Sequence, residues 1–171
     1  MRSIAQLMSQ TFTTADADLQ IYDAHVCIAD WSLHELTVEL ESGRLGRLCP
    51  LHPGQAAPKP VGQAQLVPVT SLIGAKIYGR SGALAYVADG IISPDTGRIA
   101  HLLIETGAVE NRLQRALAVD NVRARIEAGP LRLTTGLSSH DLTTLPYPQD
   151  VVFNDATRFS PSMDLPVGPL R

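Results

Sequence analysis

Four residues in the first third of the chain carry side chains that ligate metal ions: His25 and Cys27, then Cys49 and His52. Side chains two apart on a strand point the same way, so His25 and Cys27 could reach one ion together. Cys49-Pro50-Leu51-His52 has a chelating separation, although neither pair has a strong zinc spacing. The opposing reading makes Cys27 a small buried hydrophobe, and no disulfide with Cys49 is expected in a reducing compartment. Asp23 and Asp89 occupy matching places in two similar stretches. Paired carboxylates can do acid–base work, but no cleft is implied here, and the favoured reading is an aspartate bonding nearby backbone amides. His101, between Ala100 and Leu102, reads as an outward-facing strand residue rather than a base. Trp31 caps a core edge if buried and marks a partner's anchor point if exposed. The sequence holds no nucleophile elbow, phosphate loop or cofactor fingerprint, so neither an enzyme activity nor a cofactor is expected.

Composition narrows the partners. The 171 residues carry 14 Lys and Arg against 17 Asp and Glu, a net charge of −3. Nucleic-acid grooves need clustered cations that displace counterions, and the charges between Arg112 and Arg125 are spread among apolar residues. Direct binding to nucleic acid is therefore not expected. No apolar run approaches the roughly 20 residues that a bilayer-crossing helix needs. Residues 1–10 have no signal-peptide core, so the chain is expected in the cytoplasm or peripherally on the cytoplasmic face of a membrane.

The elements that must position these residues are strands. Leu72 to Gly107 reads as three of them: Ala75–Tyr78, Ala83–Ser93 and Arg98–Glu105. The turns Gly79-Arg80-Ser81-Gly82 and Pro94-Asp95-Thr96-Gly97 carry residues that fix φ or tolerate φ > 0, which is hairpin chemistry. From Leu33 to Leu40, Leu36, Val38 and Leu40 fall on one face and Thr37 and Glu39 on the other; Leu102, Ile104 and Thr106 repeat that rhythm. Period two dominates, and helix is confined to short pieces.

Residues 72–147 carry a family resemblance. Leu72-Ile73-Gly74, a glycine-containing turn, Asp89-Gly90-Ile91-Ile92 and Thr96-Gly97-Arg98-Ile99 are similar in order to the PRC-barrel family. Arg115-Ala116-Leu117-Ala118-Val119 resembles that family's strand ending in Val-Pro, with Asp120 standing where the proline would be. Gly129 to Thr134, His140-Asp141-Leu142 and Leu145-Pro146-Tyr147 resemble its closing strand, short helix and ending. The resemblance implies a small β-barrel of the kind found in photosynthetic reaction-centre H subunits, in ribosome-maturation factors and in short stand-alone proteins.

A degenerate first copy of the same unit precedes it. Ile4 to Met8 align with Val69 to Ile73, Asp23 with Asp89, Val26 with Ile92 and Val38 with Ile104, at an offset of about 66 residues with one slip. Ala29-Asp30-Trp31-Ser32 takes the place of the Pro94–Gly97 turn and resembles the Asp-x-x-Trp turn of tandem members, although here the aspartate adjoins the tryptophan. In this alignment Ile91 and Ser93 stand where His25 and Cys27 do, which weakens the metal reading. Residues 52–63 read as a linker. After Tyr147 the pattern decays into a proline-containing tail of the kind that is usually disordered; its interspersed Met163, Leu165, Val167 and Leu170 give the competing reading, docking in a partner's groove.

The expected fold is all-β, two tandem small PRC-type barrels, the first degenerate, with short helices and an irregular C-terminal tail. The expected division is 1–66, 67–147 and 148–171. The resemblance implies a non-catalytic protein-interaction and assembly module docked on a larger complex, of the membrane-embedded reaction-centre type, with homodimerisation also open. The alternatives are a metal- or small-ligand-responsive sensor built on His25, Cys27, Cys49 and His52, and an adaptor of the ribosome-maturation type. The partner-binding residues expected are Trp31, Met163, Leu165, Val167 and Leu170.

Overall fold

Period-two alternation becomes strand along most of the chain. In a computed structural model, which describes residues 2–8, 11–13, 18–40, 45–50, 65–93, 96–107, 112–151 and 159–162, the first half holds β1 (Arg2–Ser3), α1 (Ile4–Met8), β2 (Thr11–Thr13), β3 (Asp18–Ala29), β4 (Ser32–Leu40) and β5 (Leu45–Pro50). The second holds β6 (Gln65–Pro68), α2 (Val69–Leu72), β7 (Lys76–Gly79), β8 (Gly82–Ile92), β9 (Ile99–Thr106), β10 (Leu113–Ala118), β11 (Val122–Ile126) and β12 (Leu131–Thr135). The chain continues through α3 (Ser139–Thr144) to β13 (Phe159–Ser162). Along β9, Leu102, Ile104 and Thr106 are buried while His101, Leu103 and Glu105 are half-buried, as a sheet with one dry face requires.

The strands form two sheets. One runs β10-β9-β8-β7-β12-β11, with β1 added on β8; the other runs β13-β5-β4-β3-β2, with β6 added on β3. Among the described residues all ladders but one are antiparallel; β12 joins β7 in parallel, placing Leu133 opposite Ile77 and Thr134 opposite Tyr78. The β7–β8 hairpin closes on two residues, Arg80 and Ser81, with Gly82 at φ 125°. Side chains rarely adopt that backbone, so glycine is required there.

The two lead strands are exchanged between the halves. β1 opens the first half but pairs with β8 of the second, Ser3 opposite Ile91 and Arg2 opposite Ile92. β6 opens the second half but pairs with β3 of the first, Pro68 opposite His25 and Val67 opposite Val26. His25 and Ile91, like Val26 and Ile92, are matching positions of the repeat, so the two pairings share one register. Each lead strand runs into a short helix. That helix drops an apolar residue into the core, Ile4 from α1 and Leu72 from α2, 1% and 0% exposed. A Cβ at Gly90 would lie 2.6 Å from Ile4 Cδ1, so the absent side chain is what admits α1 beneath β8. The main core is continuous: Val26, Ile28 and Leu36 of the first half pack with Ile77, Leu102, Ile104 and Leu133 of the second. Neither half buries its apolar face alone.

The all-β expectation holds, but the sheets are not closed barrels. β10 and β11 lie at opposite edges of their sheet instead of meeting. β11 turns its free edge to the β3–β4 hairpin of the other sheet, where the Ala124 amide donates to the Trp31 carbonyl at 2.8 Å. The β10 edge is covered by the chain after α3, the Ala116 amide donating to the Pro146 carbonyl at 2.9 Å. The boundary expected at residue 66 falls inside β6.

Two described pieces of the region expected as an irregular tail, residues 148–151 and 159–162, are tied to the sheets. Val151 is buried against Ile91 and Ala116. Phe159–Ser162 adds antiparallel to β5, with Pro161 opposite Leu48. Such pairing needs only backbone groups, and an edge strand tolerates a proline, so apolar periodicity gives no sign of it. Among the described residues no helix is long and apolar enough to cross a membrane.

Candidate functional site

Trp31 sits at the tip of the β3–β4 hairpin, where Ala29 pairs with Ser32 and only Asp30 and Trp31 remain in the loop. Both loop residues have positive φ, 50° for Asp30 and 63° for Trp31. A two-residue hairpin with this backbone matches the twist of its strands and favours Asn or Asp followed by Gly. Aspartate tolerates the left-handed region; a tryptophan there is strained. The strain is held by the Ala124 amide bonded to the Trp31 carbonyl. The indole is nonetheless 56% exposed. A large apolar side chain kept in solvent on a strained backbone is unfavourable twice over for stability.

The Trp31 ring is flanked by the Arg125 guanidinium, with Cζ 5.8 Å from the ring centroid. Arg125 stands directly opposite Arg132 on the β11–β12 ladder. Like charges so placed repel, and Glu127 answers both: it pairs with Arg125 and accepts from Arg132 Nη1 at 3.0 Å. Arg132 also lies over Tyr78, Cζ to centroid 5.3 Å. Arg123, exposed on the same strand face, borders a shallow polar cleft lined with Asp120, Thr134, Thr135 and Gly136.

The metal candidates are not drawn into one described site. His25 and Cys27 are both buried, 8% and 5% exposed, on a stretch of β3 where the register against β4 shifts between Val26 and Ile28. Cys49 lies on β5, and β4 runs between its strand and theirs. His52 lies outside the described residues, as do Met163, Leu165, Val167 and Leu170. Among the described residues no three His, Cys, Asp or Glu side chains are grouped to hold an ion.

Asp89 bonds backbone amides: its Oδ1 accepts from Gly90 at 2.7 Å and from Ala5 of α1 at 3.3 Å. The second bond helps fasten the exchanged N-terminal segment. His101 is half-buried, with Nδ1 buried and unpartnered. Burial pushes its pKa below the usual 6.5, and the nearby Asp120 carboxylate opposes that only in part.

Arg115 is a residue that sequence reasoning missed. It is 6% exposed, donates from Nε to the Thr143 carbonyl at 3.1 Å, and stacks on Tyr147 with Cζ 3.7 Å from the ring centroid. The carbonyl ties the end of α3, and the stacked ring the segment after it, to the β10 edge. The sequence contained Arg115 and Tyr147 in stretches of separate interest, but nothing in their spacing joins them. Comparisons with known protein families, with curated proteins and with solved structures found no match.

Proposed function

We propose that this chain is a tandem unit of the PRC-barrel type that works without catalysis, as an interaction and assembly module docking on a larger protein complex. The observation that carries the reading is Trp31: an indole 56% exposed, on a residue at φ 63° that a glycine would occupy at less strain. Strained backbone persists where the surroundings enforce it, and such positions concentrate at working sites. Tryptophan is also the residue type most enriched among interface anchors, where it fills a pocket on the partner. The ordered resemblance of residues 72–147 supports the family reading, and assemblies of the reaction-centre type are the first class of partner to try.

The test is affinity purification of the full chain from its native source, followed by mass spectrometry, comparing the natural protein with Trp31→Gly. Loss of a reproducible partner set, with the thermal melt retained, is the expected outcome. An unchanged partner set would remove Trp31 from the docking role.

A further inference from the structure

The exposed face of the larger sheet carries three aromatic–cation pairs in a row. Trp31 with Arg125 stands at the β11 edge, Tyr78 with Arg132 comes next, and Tyr86 with Lys76 follows, Nζ 5.9 Å from the ring centroid. The ladders make the row continuous: Arg125 is opposite Arg132 on β12, Thr134 of β12 is opposite Tyr78 on β7, and Lys76 of β7 is opposite Tyr86 on β8. Trp31 and Tyr86 are 56% and 49% exposed, and the Arg125 and Arg132 side chains 46% and 47%. Arg123 adds a further cation on the same face. Among the described residues Glu127 alone answers Arg125 and Arg132, and neither Lys76 nor Arg123 has a carboxylate partner. A cationic strip thus stands on a chain whose net charge is −3.

Resting on the docking reading above, we infer that this strip recognises an acidic polypeptide segment of the partner. A guanidinium beside a ring has its aromatic contact already made, while its in-plane N–H groups suit the two oxygens of a carboxylate. Proteins that read single-stranded nucleic acid on a sheet leave ring faces open for bases to stack on, along a positively charged groove. Here each of the three rings already has a cation beside it, and the overall acidic charge opposes a polyanion. Charge complementarity therefore favours Asp and Glu side chains on an extended partner, with Trp31 supplying the apolar contact at one end.

The experiment measures fluorescence anisotropy of labelled poly-glutamate, poly-glutamine and single-stranded poly-dT of equal length against the full chain at low and raised salt. Poly-glutamate is expected to bind, to weaken as salt screens the pairs, and to lose about tenfold or more in affinity when Arg123→Glu and Arg132→Glu are combined. Poly-glutamine and poly-dT should not bind comparably. Melting of the charge-reversed variant confirms that it is folded; Arg132→Gln alone serves as the milder variant if it is not. Tighter binding of poly-dT would overturn the proposal in favour of nucleic acid. If poly-glutamate fails to bind while Trp31→Gly still loses the native partner set, acidic recognition is wrong and the docking role stands. If Trp31→Gly also keeps its partners, both fall.

Discussion

Substitutions at Trp31 test the hairpin independently of any partner. A residue with a side chain in the left-handed region costs about 1–2 kcal/mol, which glycine escapes. Glycine in turn loses more unfolded-chain freedom, about 0.5–1 kcal/mol relative to alanine. Both Trp31→Ala and Trp31→Gly remove the indole and its contact with Arg125, so that loss cancels between them. What remains is the backbone at φ 63°, and it favours glycine by about 0.5–1 kcal/mol. The order reverses the one found in ordinary strands and helices, where alanine wins. For a domain of this size the difference is about 1–4 °C in Tm, readable in parallel thermal melts and in urea titrations with unchanged slope. Trp31→Gly also creates Asp-Gly, a dipeptide preferred by a two-residue hairpin. If the alanine variant equals or exceeds the glycine variant in stability, the positive φ is wrong, and the argument for a strained, displayed indole goes with it.

Three further outcomes are expected. Gly90→Ala should cost about 1–3 kcal/mol through collision with Ile4 Cδ1, and Ile4→Val, which deletes that atom, should make the double variant more stable than the sum of the singles predicts; additivity in denaturant melts would mean that α1 does not seat beneath β8. The folded pKa of His101 lies below its unfolded value, so the unfolded chain binds more protons and stability should fall as pH drops through 6.5 and below; His101→Gln should flatten that part of the pH–stability curve, and an identical curve would show that His101 contributes nothing to it. Ending the chain at residue 158 removes β13 and should lower the thermal midpoint by uncovering the β5 edge, whereas an unchanged melt would show that Phe159–Ser162 adds nothing to the fold.

The hairpins of the second half were legible because their signals are local. Gly82 and Gly97 sit where turns need φ > 0, β8 reads from its β-branched and aromatic residues between those turns, and β9 from alternation. The α3 start carries a local signal too, Ser138 and Asp141 bonding each other's backbone amides in a capping box, although the short helix there is read only from the family resemblance. The exchange of β1 and β6 was not legible, because alignment of Ile4–Met8 with Val69–Ile73 shows likeness without showing which half each segment joins. Burial of Arg115 was hidden for a related reason: its aromatic lid and its carbonyl partner lie about 30 residues away, at Tyr147 and Thr143. Trp31 was identified as a site residue, but its exposure depends on how the β11 edge meets the hairpin, a contact between sheets that no spacing encodes.

The crossed lead strands bear on how such a chain could arise. A half-length ancestor with this pattern would carry a strand that fits its own long strand's position in a sibling, and two siblings clasping each other would satisfy both ladders. Fusing them end to end makes that handshake intramolecular. One sibling's copy of each surface is then free to diverge, and a solvent-facing tryptophan on one half, with no counterpart on the other, is what such freedom permits.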